Sequence, residues 1–137
     1  MKSTLSAGLS TIATIAVDRS RTIDFMGEER RVYATPSMVG DIEMTCRNLL
    51  LEHLDPGEDS VGARVELDHL APTLPGMKVA IAAKIAEIKG RMVTFEIEAR
   101  DELDLVGRGR HTRFVVDTAK TAERLALKSA KVAEAKR

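Results

Sequence analysis

Three side chains hold the best prospects for chemistry, and each stands where its type is unusual. Glu43 lies in an apolar run with helical spacing, and Val39, Cys46 and Leu50 share its face. A carboxylate among aliphatic side chains must be paired or protonated, because burying an isolated charge is prohibitive. Paired with Arg47 one turn on, it is structural; facing a substrate, it suits general acid or base work. His69 closes the run Val65-Glu66-Leu67-Asp68-His69, where strand alternation puts it on the face of Val65 and Leu67. An imidazole there serves as a base, as a carboxylate's partner or as a core residue bonded to backbone. Thr35 precedes Pro36 at a helix start. Its hydroxyl either caps the free N–H groups of the first turn or faces a substrate beside them, where a developing oxyanion is favoured.

A second set of residues carries weaker signals. Gly62 interrupts a strand, which marks a bulge or a place where a ligand approaches the backbone. In the stretch 107–113, alternation separates Arg108 and Arg110 from Arg113. The first two face solvent, and Arg113 points the other way, toward a carboxylate or a ligand phosphate. Cys46 reads as a small core residue. His53 sits near a helix end, where its charge suits the dipole, and His111 gives no stronger local signal. The three histidines do not cluster as metal ligands must, so neither a metal nor another cofactor is expected.

The elements that must position these groups follow from periodicity. A β-branched run at 11–17 predicts a strand, 23–26 a short second stretch, and 27–31 a charged loop. Thr35-Pro36 opens a helix whose apolar residues Val39, Ile42, Cys46, Leu49, Leu50 and Leu54 recur at helical spacing until Asp55-Pro56-Gly57 stops it. Four strands follow at 60–70, 77–88, 92–99 and 105–116, separated by short turns that imply an antiparallel sheet. One long apolar helix cannot stand in solvent, so the curved sheet wraps it in the α+β hot-dog arrangement. Residues 1–117 form this domain. Residues 118–137, rich in Ala, Lys, Glu and Leu, form a solvated helix or a fraying tail. Pairing the open sheet edges of two copies removes an exposed strand, which predicts a homodimer or higher homo-oligomer.

Composition narrows the classes of function. With 137 residues the chain is one domain, and its 44% hydrophobic content supports a core. Three Phe, one Tyr and no Trp make that core aliphatic. Lys plus Arg equals Asp plus Glu at 21 each, so the positive field of a nucleic-acid binder is absent. One cysteine excludes an internal disulfide. No stretch has the ~20 apolar residues of a membrane span, and no apolar leader opens the chain. The cytoplasm is the expected location.

The ordered motifs resemble the fluoroacetyl-CoA thioesterase group of hot-dog proteins. The resembling pieces run from about Val32 to Val116. They are Tyr33-Ala34-Thr35, Met38-Val39-Gly40 with Glu43 following, Leu54-Asp55-Pro56-Gly57-Glu58, Ser60-Val61-Gly62, His69 before Ala71-Pro72-Thr73-Leu74-Pro75-Gly76, and Gly109-Arg110-His111-Thr112-Arg113. The resemblance implies that Thr35, Glu43 and His69 are catalytic and that Gly62 and Arg113 contact ligand or shape the site. It implies hydrolysis of a short acyl-CoA, by direct water attack or through an acyl-enzyme. The group's fluoroacetyl-specific member carries aromatic residues where this chain has the charged Gly27-Glu28-Glu29-Arg30-Arg31, so the acyl group stays open. Two other functions fit the same fold. One is a non-catalytic acyl-CoA binding or sensing module, and the other is an acyl-thioester hydratase or dehydratase.

Overall fold

The central helix explains the rest of the architecture. In the computed structural model, which describes residues 1–137, α1 spans Thr35–Leu51. Its buried residues Met38, Ile42, Thr45, Cys46, Leu49 and Leu50 repeat at three- and four-residue spacing, so one stripe is apolar. That stripe needs a sheet against it. Leu54, expected inside the helix, lies in the loop beyond it but stays buried.

The sheet comes from five strands: β1 (Ser10–Ala16), β4 (Glu58–His69), β5 (Lys78–Lys89), β6 (Met92–Arg100) and β7 (Leu105–Asp117). All pairings are antiparallel, in the order β1-β5-β6-β7-β4. Alternation is clean in β6, where Val93, Phe95, Ile97 and Ala99 are buried and the residues between them are not. These inward residues and the helix stripe form one core with Val79, Ile81, Ile85 and Val115. Each large aliphatic side chain so buried contributes roughly 1.5–3 kcal/mol. Gly90, at φ 58°, opens the two-residue turn between β5 and β6 with the positive φ that a tight hairpin requires.

Two features bear on function. The short hairpin β2 (Thr22–Ile23) and β3 (Val32–Tyr33) is tied to the start of α1, since the Ala34 N–H donates to the Arg21 carbonyl. Strand β4 pairs with β7 on one side only, so its other edge is open along twelve residues. Val65 is 40% exposed on that strand. The last helix, α2 (Thr118–Ala135), is capped by the Asp117 side chain and buries none of its residues. No helix is long and apolar enough to cross a membrane.

Candidate active site

The helix start does not use Thr35 as its cap. Ala34 holds the cap position, with φ −76° and ψ 137°, and supplies no side-chain hydrogen bond. Thr35 is the first helical residue and Pro36 the second, so the helix begins one residue earlier than the local sequence suggests. The Thr35 hydroxyl is therefore free of the helix and meets His69 Nδ1 at 2.7 Å. First-turn N–H groups have no intrahelical acceptor, and at this helix start Thr35 and Ser37 carry such groups.

His69 is delivered by the end of β4, opposite Gly107. Its ring packs edge-on against Tyr33, with centroids 6.4 Å apart and planes at 75°. Burial holds the imidazole below its ordinary pKa, and the nearby Ala71 carbonyl only partly opposes this. The neutral ring keeps Nε2 buried without a hydrogen-bond partner. A buried orphan of this kind costs about 1–3 kcal/mol, which a substrate or water bond would recover. Tyr33 is fixed in turn, because its hydroxyl donates to Asp41 at 2.5 Å and Asp41 accepts from Arg21 at 3.0 Å. A cavity of about 480 Å³ opens over the pair, lined by Ile23, Phe25, Tyr33, Thr35, His69 and Pro72 among others.

Glu43 belongs to a second cluster. Its carboxylate bonds Arg113 Nη1 at 3.4 Å, and Arg47 pairs with Asp59 instead, at 2.7 Å. The helical Glu43–Arg47 pair, the structural alternative the sequence left open, is thus absent. Arg113 is 5% exposed and points inward, as alternation requires. Its Nε donates to Ser60 Oγ at 2.7 Å and its Nη2 to the Ser60 carbonyl at 2.8 Å. In this chain it therefore reaches a carboxylate rather than a ligand phosphate. Gly62 makes room for the carboxylate, since a Cβ there would lie 2.7 Å from Glu43 Oε2. The ladder also bulges between Gly62 and Arg64.

The five candidates therefore fall into two groups. Thr35 and His69 meet; Glu43, Gly62 and Arg113 meet. No hydrogen bond joins the groups within one chain. Glu43 is eight residues from Thr35, or ~12 Å along the helix, and Gly62 is seven residues from His69, or ~23 Å along the strand. The largest depression, about 570 Å³ on the outer sheet face among Asp68, Glu98 and Arg108, contains none of them. No three His, Cys, Asp or Glu side chains gather as metal ligands. Cys46 is buried, and its thiol is pushed up to about 12 by that burial, so it is no nucleophile.

The family profile described as fluoroacetyl-CoA-specific thioesterase matches residues 17–119. The chain belongs to this family. The fluoroacetyl-CoA thioesterase of Streptantibioticus cattleyicolor is 36% identical over 89 residues, which span 65% of this chain and 64% of that protein. A crystal structure of a mutant of the fluoroacetyl-CoA-specific thioesterase FlK superposes with a TM-score of 0.85 at 28% identity, covering 93% of this chain and 99% of the other. A thioesterase superfamily member from Thermus thermophilus gives 0.84 at 34% identity, with 95% and 96% covered. These likenesses show the hot-dog fold expected from the element order.

Sequence reasoning did not single out three residues that contact these candidate groups. Tyr33 and Ser60 are fixed by contacts across the fold that no local pattern reveals. His111 is fully buried beside Arg113, and the alternation that turned Arg113 inward also turned His111 inward.

Proposed function

We propose that the protein hydrolyses a short acyl-CoA to the free acid and CoA, at sites completed by two copies paired along β4. The observation that carries this reading is the 2.7 Å Thr35–His69 contact at an open helix N-terminus, beneath an apolar-lined cavity. Free N–H groups there favour the oxyanion that forms when a thioester carbonyl is attacked. Neutral His69 is ready to accept a proton at neutral pH. Water attacks the carbonyl carbon and its proton passes to the base, which returns it to the sulfur as the C–S bond breaks, so that CoA leaves as the thiol.

The separation of the two groups supports pairing. Two β4 strands running antiparallel about an axis at Glu66, with the bulge after Gly62 taking up one residue, would set His69 opposite the partner's Gly62. The partner's Glu43, nested on that glycine, would then face His69 and Thr35. Arg113 holds this carboxylate rather than the substrate phosphates in such a site. The open edge and exposed Val65 are the surface such pairing covers. A mutant of FlK has been solved with fluoroacetate and CoA, which supports a small acyl group on CoA here. The proposed setting is a cytoplasmic homodimer, with residues 1–117 as the working domain and no resident cofactor.

A second reading of the chemistry rests on the same contact. A hydroxyl bonded to an imidazole is a nucleophile–base pair, so Thr35 would carry the acyl group transiently. Rapid-quench kinetics separates the two, since only an acyl-enzyme gives a thiol burst equal to the site concentration.

The test of the function is a free-thiol assay over short, branched, aromatic and halogenated acyl-CoAs. Wild-type turnover, falling by roughly a hundredfold or more in Glu43→Gln and His69→Ala, is expected for loss of a general acid–base group. Binding without thiol release would instead identify a sensing module, and consumption of an unsaturated acyl-CoA without thiol release would identify a hydratase.

A further inference from the structure

We infer that His111 is a positioning residue for Glu43, acting through Arg113. This rests on the reading of Glu43 as part of the catalytic site. The argument starts from what arginine can do: its guanidinium only donates hydrogen bonds. Arg113 Nη1 lies 3.1 Å from His111 Nε2, so that nitrogen must present its lone pair. The proton then sits on Nδ1, which donates to the Arg64 carbonyl at 2.9 Å. Both ring nitrogens are satisfied and the tautomer is fixed. The ring is fully buried and stacks on Phe95, with centroids 6.5 Å apart and planes at 24°.

The same Nη1 that meets His111 is the one that meets Glu43. Ser60 fixes the other side of the guanidinium, through Nε and Nη2. Glu43 itself is 39% exposed, and its 3.4 Å bond to Arg113 is long, so the carboxylate alone does not hold Nη1 in place. His111 does, as a rigid acceptor anchored to β4. A buried apolar residue would fill this core position without needing partners. The imidazole's distinctive contribution is the acceptor it offers to Arg113.

Charge follows from the surroundings. Glu43 faces His111 from α1, Arg113 from β7, the Arg64 carbonyl from β4, and the uncharged Phe95 from β6. Burial and Arg113 keep the ring neutral, against the pull of the Arg64 carbonyl and Glu43. A protonated His111 would turn Nε2 into a donor facing a donor and release Nη1.

The experiment compares two substitutions in the full-length protein by kcat/KM in the thiol assay. In His111→Gln, the carboxamide can reach Arg113 as Nε2 does. In His111→Asn, it can reach the Arg64 carbonyl but stops short of Arg113. The expected result is a loss of about tenfold or more in kcat for His111→Asn, the scale of a misplaced catalytic group, with KM little changed. His111→Gln is expected to lose no more than about threefold. In a Glu43→Gln background, His111→Asn should add no further loss, because the residue acts through that carboxylate. Equal losses for Asn and Gln, or a full additional loss in the Glu43→Gln background, would overturn the inference and leave His111 a packing residue. If wild type releases no thiol from any substrate, the proposed function fails and the inference with it. If wild type turns over and Glu43→Gln is impaired while His111→Asn is not, only the inference fails.

Discussion

The two halves of the candidate site are built differently. The Thr35–His69 pair sits at an open helix end under a cavity, linked by one hydrogen bond, with a buried nitrogen left unpaired. The Glu43 half is wired into the core, where Arg113, Ser60, His111 and the gap at Gly62 all fix one carboxylate. The difference separates two tasks. An orphaned imidazole beside free N–H groups is ready to receive something new. A carboxylate held by a buried guanidinium is oriented in advance and needs no rearrangement at the moment of reaction.

The sharpest way to break this contrast is to remove one member of each half. Glu43→Gln and His69→Ala should each reduce kcat/KM by roughly a hundredfold or more. Only Glu43→Gln takes from buried Arg113 its one carboxylate, so thermal melting should show a drop in Tm that the loss of an unpaired nitrogen at His69 does not explain. A smaller effect comes from Gly62→Ala. Its Cβ would displace the Glu43 carboxylate by a short distance, lowering kcat by about tenfold while the flexible side chain moves aside and Tm stays nearly constant. Thr35→Val separates chemistry from capping. Loss of a true cap costs about 1 kcal/mol, but Thr35 is not the cap, so its substitution should lower activity with Tm unchanged.

The mildest probe is pH. His69 and His111 are both depressed below the ordinary histidine value of 6.5, mainly by burial. The unfolded chain therefore binds protons that the folded one refuses, and stability rises with pH. The contribution is complete above about pH 6.5 and is lost as pH falls toward the folded values. Urea unfolding at a series of pH values should show this decline, and His111→Gln should flatten part of it. A stability that rose on acidification from pH 6.5 would contradict the neutral assignments.

Much of this arrangement was readable from residue order. The helix stripe, the hairpin spacing and the inward turn of Arg113 follow from periods of 3.6 and 2. Glu43 stood out because its helical neighbours are aliphatic. What could not be read is pairing at long range. Glu43 and Arg113 are 70 residues apart, and Ser60 and Arg113 are 53 apart, so the helical neighbour Arg47 was the only visible partner. The capping alternative for Thr35 fails for a different reason. Backbone at Ala34 takes the cap conformation without help from a side chain, and a one-residue shift in the helix start changes the role of the hydroxyl. Alternation turned His111 inward, but its role stayed hidden because a buried, satisfied histidine and a packing residue look alike in sequence.

The most direct test of the central claim is subunit complementation. Glu43→Gln and His69→Ala variants are unfolded together, refolded as a mixture, and assayed for thiol release. If each site takes Glu43 from one copy and His69 from the other, every mixed dimer holds one intact site. Random pairing about a two-fold axis then restores about a quarter of wild-type activity. A mixture no more active than the separate variants, with mixed dimers shown to have formed, would contradict a site shared between two copies.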